Sequence, residues 1–286
     1  MSWKVADIIP VRKAVEFVVA SIVKVLIFLE DKKSIKLRGK MKRTILLTLL
    51  LLISTITGGY AAFSADIESG LVLPGYNDVR IPGKGDATKF SLSDDLQADP
   101  IFYYRLSLHY RLKERHRFSL LYAPFQIEPE GSLEKEVRFQ DAIFPAGEEL
   151  TAIYRFDSYR LQYRYFFRNQ ERIIKGIGLT LKVRDAEITV QSEDQSATKL
   201  DTGIVPLINF QLGLDITPQI SLDMDGEALF SPYGRAADVL LAVNYKINQR
   251  SNVRIGYRVL EGGSDIDEVY TFALFHYLGV GFNIRF

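Results

Sequence analysis

The sequence contains no cysteine, one tryptophan and three histidines among its 286 residues. The absence of cysteine excludes a disulfide framework, cysteine-ligated zinc, covalent haem attachment, a cysteine nucleophile and a lipidated cysteine. After residue 65 no apolar run approaches 18 residues, so this part lacks a segment typical of a membrane-spanning helix. Hydrophobic residues make up 47% of the chain and aromatic residues 12%, a composition that excludes a disordered chain.

Charge is balanced overall, with 36 Lys and Arg against 35 Asp and Glu, but it is unevenly distributed. Residues 1–65 hold eleven of the basic residues and four of the acidic ones. The rest of the chain therefore carries 25 basic and 31 acidic residues, a net charge of −6. Because a nucleic-acid-binding protein more often has a basic body, we expect no nucleic acid among the partners.

Residues 41–64 have the features of a secretory signal peptide. A basic start at residues 41–43 precedes an apolar run over residues 45–56, and small residues follow. Cleavage is expected after Ala61 or Ser64. The apolar run is shorter than the roughly 20 residues that a membrane-spanning helix needs, which favours a cleaved signal over a retained anchor.

The first forty residues are unusual in front of a signal peptide. Their apolar stretch is interrupted by Glu16 and Lys24, and a basic tract follows it. We interpret this part as an upstream extension of the reading frame. The alternative is an amphipathic helix at a membrane surface. The predicted organisation is an extension over 1–40, a signal peptide over 41–64 and an outer-membrane β-barrel domain over 65–286.

In this last part, hydrophobicity alternates with a period of two. The clearest case is the final segment, where one face holds Leu278, Val280, Phe282, Ile284 and Phe286. The opposite face holds mainly small and polar residues, among them Gly279, Gly281 and Asn283. Segments of about ten residues with this alternation, separated by turn residues, are typical of a transmembrane β-barrel.

Ten such segments can be placed along the chain. They lie near residues 67–73, 102–110, 118–122, 159–167, 177–183, 204–214, 220–225, 239–246, 252–259 and 270–286. Short turns at 113–115, 168–171, 217–219 and 248–251 alternate with longer connections at 75–99, 125–150, 186–198, 231–236 and 261–269. The sequence predicts an all-β fold, a transmembrane antiparallel up-and-down β-barrel of about ten strands. Eight or twelve strands and a soluble β-sandwich are the alternatives.

The signal peptide, the alternating segments and the closing sequence HYLGVGFNIRF resemble those of outer-membrane β-barrel proteins of Gram-negative bacteria. The stretches ELTAIYRFDSYRLQYRY, LKVRDAEITV and YRVLEGGSDIDEVYTFALFHYLGVGF resemble a family of such barrels without an assigned activity. The resemblance covers about residues 66–286. It implies a fold and a location in the bacterial outer membrane, and it implies almost nothing about function.

The resemblance also implies two kinds of partner. One is the lipid of the outer membrane, including lipopolysaccharide. The other is the barrel-assembly machinery, which in this class of protein reads an aromatic C-terminal strand. The residues that match this assembly signal are Leu278, Val280, Phe282, Ile284 and Phe286.

If the apolar face of each strand meets lipid, the opposite face lines the lumen. The side chains that we expect there form a lumen charge network of Arg105, His109, Arg160, Arg164, Lys182, Arg184, Asp223, Asp225, Glu227, Lys246, Arg254, Arg258 and Arg285.

Charges inside a narrow barrel are costly unless they are paired. We therefore expect ion pairs across the lumen, with Asp223 and Asp225 as candidate partners of Arg254 and Arg258. Such pairs would plug the lumen, and ten strands lie closer to a filled interior than to an open pore. The alternative is a cation-lined path for anions.

Sequence signals for catalysis are weak. His109 lies beside Ser107 on one strand face, but close to a short turn, and His276 lies between leucines on the lipid face. The Asp94–Asp95 pair resembles the paired acids of the omptin proteases. An omptin-like site also needs an Asp–His couple, and no Asp adjoins any His in the sequence. We therefore assign no catalytic residue.

Acidic loop clusters match no EF-hand, and no phosphate loop, dinucleotide fingerprint or HExxH motif occurs, so we expect no cofactor and no dedicated metal site. The sequence favours a non-enzymatic outer-membrane barrel with a structural or interaction role. The first alternative is a narrow channel for small anionic or hydrophobic solutes. The second is a hydrolase that modifies outer-leaflet lipid, of the lipid A deacylase or omptin kind.

Overall fold

A computed structural model describes residues 61–167 and 172–286. The predicted extension and the predicted signal peptide up to residue 60 lie outside these residues. Within them, no helix is long and apolar enough to cross a membrane.

Ten long antiparallel strands form a closed barrel. They are β1 (Ala61–Arg80), β3 (Ile101–Leu112), β4 (His116–Ala123), β9 (Glu149–Phe166), β10 (Ile173–Gln191), β11 (Ser196–Asp215), β12 (Ile220–Ser231), β13 (Gly234–Lys246), β14 (Ser251–Asp265) and β15 (Tyr270–Arg285). Each strand pairs with the next, β15 pairs with β1, and the pairing of β9 with β10 joins the two halves. The predicted barrel of ten strands is confirmed.

The two ends of the barrel differ. At one end, here called the turn end, short turns follow β3, β9, β11 and β13, and the paired ends of β1 and β15 lie there. At the other end, the cap end, the chain forms short turns after β10, β12 and β14 and two long connections after β1 and β4.

Three connections predicted as long loops are mostly strand instead. In the one at 231–236, β12 ends at Ser231 and β13 already begins at Gly234. Residues 186–191 continue β10 and residues 196–198 begin β11, with Val190 paired to Ala197. Residues 261–265 likewise continue β14. The predicted strands end where the apolar outer face ends. The backbone ladder needs no apolar face, so it continues past that point.

The two long connections fold into a cap. They contain five short strands, β2 (Phe90–Ser91), β5 (Gln126–Ile127), β6 (Glu130–Ser132), β7 (Val137–Phe139) and β8 (Ala142–Phe144). Strand β2 pairs with β1, β5 and β6 pair with β9, and β7 pairs with β8. The cap buries an apolar core that includes Leu92, Leu96, Phe139 and Phe144, continuous with inward side chains of the barrel such as Val190.

Side-chain direction alternates along the barrel strands as predicted. Large apolar side chains on the outer face are exposed, among them Phe102, Leu179, Ile204, Ile255 and Val280. Inward positions of the same strands hold buried polar and charged groups, among them Arg105, Thr180 and Arg258. This is the reverse of a soluble barrel, and it is the pattern expected when lipid surrounds the protein.

The buried face of the cap should stabilise it against local opening. Phe144 is fully buried, whereas the adjacent Ile143 in the same hairpin is half exposed. Truncation of a buried phenylalanine costs about 3–5 kcal/mol. We expect Phe144→Ala to accelerate hydrogen–deuterium exchange of amides 126–144, while barrel amides stay protected and Ile143→Ala behaves as wild type. Equal exchange in both variants would contradict the packed cap.

Candidate functional site

The centre of the lumen is organised around Asp238 on β13. Its carboxylate accepts from three arginines on different strands: Arg258 Nη1 at 2.5 Å, Arg160 Nη1 at 2.7 Å and Arg105 Nη2 at 3.0 Å. All four side chains are buried. Strands β3 and β9, which supply Arg105 and Arg160, each lie four strands from β13 around the barrel. Asp238 therefore ties opposite walls of the lumen together.

Two glutamates complete this cluster. Glu68 on β1 accepts from Arg258 Nε and Nη2, both at 2.9 Å, and from Arg254 Nη2 at 2.7 Å. Glu227 on β12 accepts from Arg160 Nη1 at 2.7 Å and from the Thr180 hydroxyl at 2.8 Å. Arg160 and Arg258 each bridge two carboxylates. Arg105 binds Asp238, which the other two arginines also bind. A buried ion pair is favourable only when its remaining donors and acceptors are also satisfied, which these bonds achieve.

A second group of ion pairs lies closer to the turn end. Arg164 donates to Asn209 Oδ1 at 2.7 Å and also pairs with Asp225, which Arg117 approaches at 3.5 Å. Arg254 binds Asp66 through two hydrogen bonds of 2.6 and 2.8 Å. The charged part of the lumen therefore extends over at least two levels of side chains.

The structure brings most of the predicted lumen residues together. Those with side chains in ion pairs or hydrogen bonds within the lumen are Arg105, His109, Arg160, Arg164, Asp223, Asp225, Glu227, Arg254 and Arg258. Lys182 is buried there without an ion pair among the described residues. Arg184 pairs with Asp201. Lys246 and Arg285 are exposed, because β13 and β15 end there and their side chains reach past the rim.

The expected partners of Arg254 and Arg258 were wrong. Asp225 is engaged by Arg164 and Arg117 from facing strands, and Asp223 accepts from the Asn244 amide at 2.6 Å. The acids that Arg254 and Arg258 do bind, Asp66, Glu68 and Asp238, were absent from the predicted network. Strand parity would have found Asp238, which lies on the same inward face of β13 as the buried Leu240 and Ala242. Asp66 precedes the first predicted segment, near residues 67–73, and no inward face was assigned to this short segment, so Glu68 was missed as well.

The three histidines each bond a hydroxyl group. His109 Nδ1 lies 2.8 Å from Ser119 Oγ, His116 Nδ1 lies 2.9 Å from the Tyr163 hydroxyl, and His276 Nδ1 lies 2.6 Å from the Tyr257 hydroxyl. The neighbour of His109 is thus Ser119 on the paired strand rather than Ser107. None of these bonds couples a histidine to a carboxylate, as an omptin-like or triad arrangement would require.

Acidic residues outside the lumen serve local structure. The carboxylate of Asp95 accepts from the backbone N–H of Ser91 at 2.8 Å and stabilises the turn that contains the Asp94–Asp95 pair. Among residues 61–167 and 172–286, no group of three or more His, Asp or Glu side chains is arranged to hold a metal ion. In the cap, hydrogen bonds to Glu136 and Asp86 raise the pKa of the exposed Arg138.

No protein-family model and no curated protein matches this sequence. Among solved structures, the outer-membrane protease OmpT from Escherichia coli overlays with a TM-score of 0.51 at 9% identity, over 79% of this chain and 97% of that one. At this identity the likeness shows a shared barrel fold and nothing more.

Two further structures overlay more loosely. Neisserial surface protein A matches with a TM-score of 0.34 at 16% identity, over 80% of this chain and all of that one. The outer membrane protein OprG from Pseudomonas aeruginosa matches with a TM-score of 0.34 at 13% identity, over 79% and 98%. These overlays are too loose to add to the argument.

The cross-lumen network should dominate the stability of the barrel. Arg258→Met leaves Glu68 and Asp238 undercompensated, and breaking a buried pair costs about 3–5 kcal/mol. The matched control is Arg138→Met, because exposed pairs such as Arg138–Glu136 are worth about 0–1 kcal/mol. We expect Arg258→Met to lower the free energy of unfolding by about 3–5 kcal/mol and Arg138→Met by about 0–1 kcal/mol. Urea titration of the refolded barrel measures this free energy, with heat-modifiable gel migration as the readout.

A double variant separates lost charge balance from lost packing. Glu68→Gln combined with Arg258→Met removes one charge of each sign and should recover part of the lost stability. Equal losses for Arg258→Met and Arg138→Met would show that the network does not hold the barrel together.

Proposed function

We propose that this protein is a β-barrel of the bacterial outer membrane whose lumen is closed, and that it acts through its cap-end surface in a structural or interaction role. The observation that carries this proposal is the Asp238 cluster, which joins opposite walls across the lumen.

The outer surface supports the location. Aromatic side chains contact one another in two groups, one nearer the turn end that includes Phe118 and Tyr163, and one nearer the cap end that includes Tyr104, Tyr122 and Tyr159. Leucines such as Leu120 and Leu161 lie between them. Aromatic girdles on both sides of an apolar band are characteristic of barrels that span a membrane.

On the cap side, the apolar band ends at a cluster of charged side chains. Outward-facing Arg155 donates to Glu187 at 2.8 Å, to Asp157 at 3.0 Å and to Asp185 at 3.3 Å. These side chains lie beyond the Tyr122–Tyr159 pair on the cap side. A cluster of charges at this level suits a boundary with lipopolysaccharide head groups, which is the lipid partner that we propose.

The other proposed partner is the barrel-assembly machinery. On β15, Leu278, Val280 and Phe282 are exposed on the outer face, and Ile284 is partly exposed. Phe286 follows the strand and is half exposed. These side chains are accessible, as an assembly signal at the C-terminal strand requires.

Two layers support a closed lumen. The first is the ion-pair network, which blocks the lumen at its centre, and the second is the apolar core of the cap, which fills part of the cap end. Barrels of eight strands are filled by their own side chains, and ten strands leave little more room. An ion that crossed this lumen would have to displace arginines that are each bound to carboxylates, at a cost of several kcal/mol for each broken pair.

The location and orientation can be tested by labelling, because the natural chain has no cysteine to interfere. Asp194 lies in the exposed turn after β10 at the cap end, and Glu114 lies in the exposed turn after β3 at the turn end. We expect a membrane-impermeant maleimide to label Asp194→Cys on intact cells. It should label Glu114→Cys only after the outer membrane is permeabilised. The opposite pattern, or labelling of neither variant in a membrane fraction, would overturn the proposal.

The closed lumen can be tested by conductance in planar bilayers under a salt gradient. We expect the refolded wild-type barrel to insert without steady current steps. Removal of residues 126–144, which takes away most of the second connection, should still leave the barrel silent because the ion-pair network remains. Stable anion-selective steps from the wild type would instead support a narrow channel for small anionic solutes.

A further inference from the structure

A cavity of about 200 Å³ lies in the lumen on the cap side of the ion-pair network. Its inner end is lined by Arg160, Lys182 and Asp238, which belong to the charged layer. Its walls are mostly apolar and include Tyr154, Phe156, Leu207, Leu260 and Phe275. Its rim includes the exposed Tyr233, so the cavity opens at the cap end and is closed below by the network.

One cation at the inner end of the cavity lacks an acidic partner. The buried basic side chains of the described residues are Arg105, Arg160, Arg164, Lys182 and Arg258. The four arginines each pair with a carboxylate. Lys182 has no carboxylate within ion-pair distance among the described residues, and its Nζ lies 4.6 Å from the centre of the Phe156 ring. A buried, unpaired ammonium group is costly, so an anion that pairs with it binds favourably.

The buried charges around Lys182 also sum to an excess of one positive charge. The central cluster contains four basic side chains, Arg105, Arg160, Lys182 and Arg258, and three acidic ones, Glu68, Glu227 and Asp238. Inclusion of the Arg254–Asp66 pair leaves the excess of one positive charge unchanged. A single negative charge would balance the site.

We propose that this cavity binds an amphipathic monocarboxylate, a small aliphatic or aryl acid. Its carboxylate pairs with Lys182, and its hydrocarbon part packs against the apolar walls. One negative charge matches the excess at the inner end, and the lining of Phe156, Leu207 and Phe275 favours a hydrocarbon body over a second polar group. Arg184, which also lines the cavity, is already paired with Asp201 and leaves Lys182 as the cation for the ligand.

This inference goes beyond the closed barrel proposed above. A cavity that is open at one end and blocked by paired arginines at the other can bind a ligand without conducting it. Binding is measured on the isolated barrel and does not depend on the bilayer conductance experiment, so each proposal can fail alone.

The test uses radiolabelled octanoate and the full barrel in lipid nanodiscs, with empty nanodiscs as the background. We expect saturable binding of octanoate. Octan-1-ol, which lacks the charge, and acetate, which lacks the hydrocarbon chain, should each bind at least about tenfold more weakly, since charged hydrogen bonds and apolar burial each contribute at least that factor.

Substitutions at Lys182 distinguish the loss of its charge from a loss of folding as the cause of weaker octanoate binding. Lys182→Met should weaken octanoate binding by about 10- to 100-fold, the range expected for a lost charged hydrogen bond. Lys182→Arg should retain affinity within a few fold. The matched control Lys246→Met, at an exposed position of β13, should bind as the wild type does. Because Lys182→Met removes an unpaired charge, its urea midpoint should equal or exceed that of the wild type.

A second variant tests the cavity without touching the charge. Leu229 lines the wall and is partly exposed, so Leu229→Trp should fill the space and abolish octanoate binding. The proposal is overturned if octanoate shows no saturable binding, if folded Lys182→Met binds octanoate as tightly as the wild type, or if octan-1-ol binds as tightly as octanoate.

Discussion

The buried carboxylate of Asp238 is the interaction on which the lumen depends. Three arginines from three strands converge on it, and two of those strands lie on the far side of the barrel. A closed ten-stranded barrel forces its inward side chains into a narrow space where water cannot solvate them fully. An unpaired charge there is costly, and the arginine fork allows one side chain to satisfy two carboxylates at once.

Two different kinds of side-chain packing fill the interior of the barrel along its length. Toward the turn end the interior is ionic and hydrogen-bonded, and toward the cap end it is apolar and continuous with the core of the cap. Lys182 lies where these regions meet, beneath Phe156 and beside the charged layer. The ligand cavity proposed here lies at this boundary, where Lys182 has no carboxylate within ion-pair distance among residues 61–167 and 172–286 and the walls are mostly hydrocarbon.

The barrel has the same fold as a protease, yet its three histidines are hydrogen-bonded to hydroxyl groups. His109, His116 and His276 each bond a serine or tyrosine hydroxyl, and Asp95 stabilises a turn. Fold likeness at this identity therefore says little about chemistry, because activity depends on a few side chains that a barrel wall can replace without changing its hydrogen-bond ladder.

The sequence by itself predicted about ten strands, their outward and inward faces and the turns at the turn end, because alternation with period two is a local property of each segment. Arg105, Arg160 and Arg258, which strand parity assigns to the lumen, are buried in the structure. The sequence did not determine the partners of these arginines, the length of β10 and β14, or the cap. Those features depend on which strands face one another across the lumen and on contacts between distant connections. Asp66 and Glu68 meet Arg254 only because the barrel closes between β15 and β1.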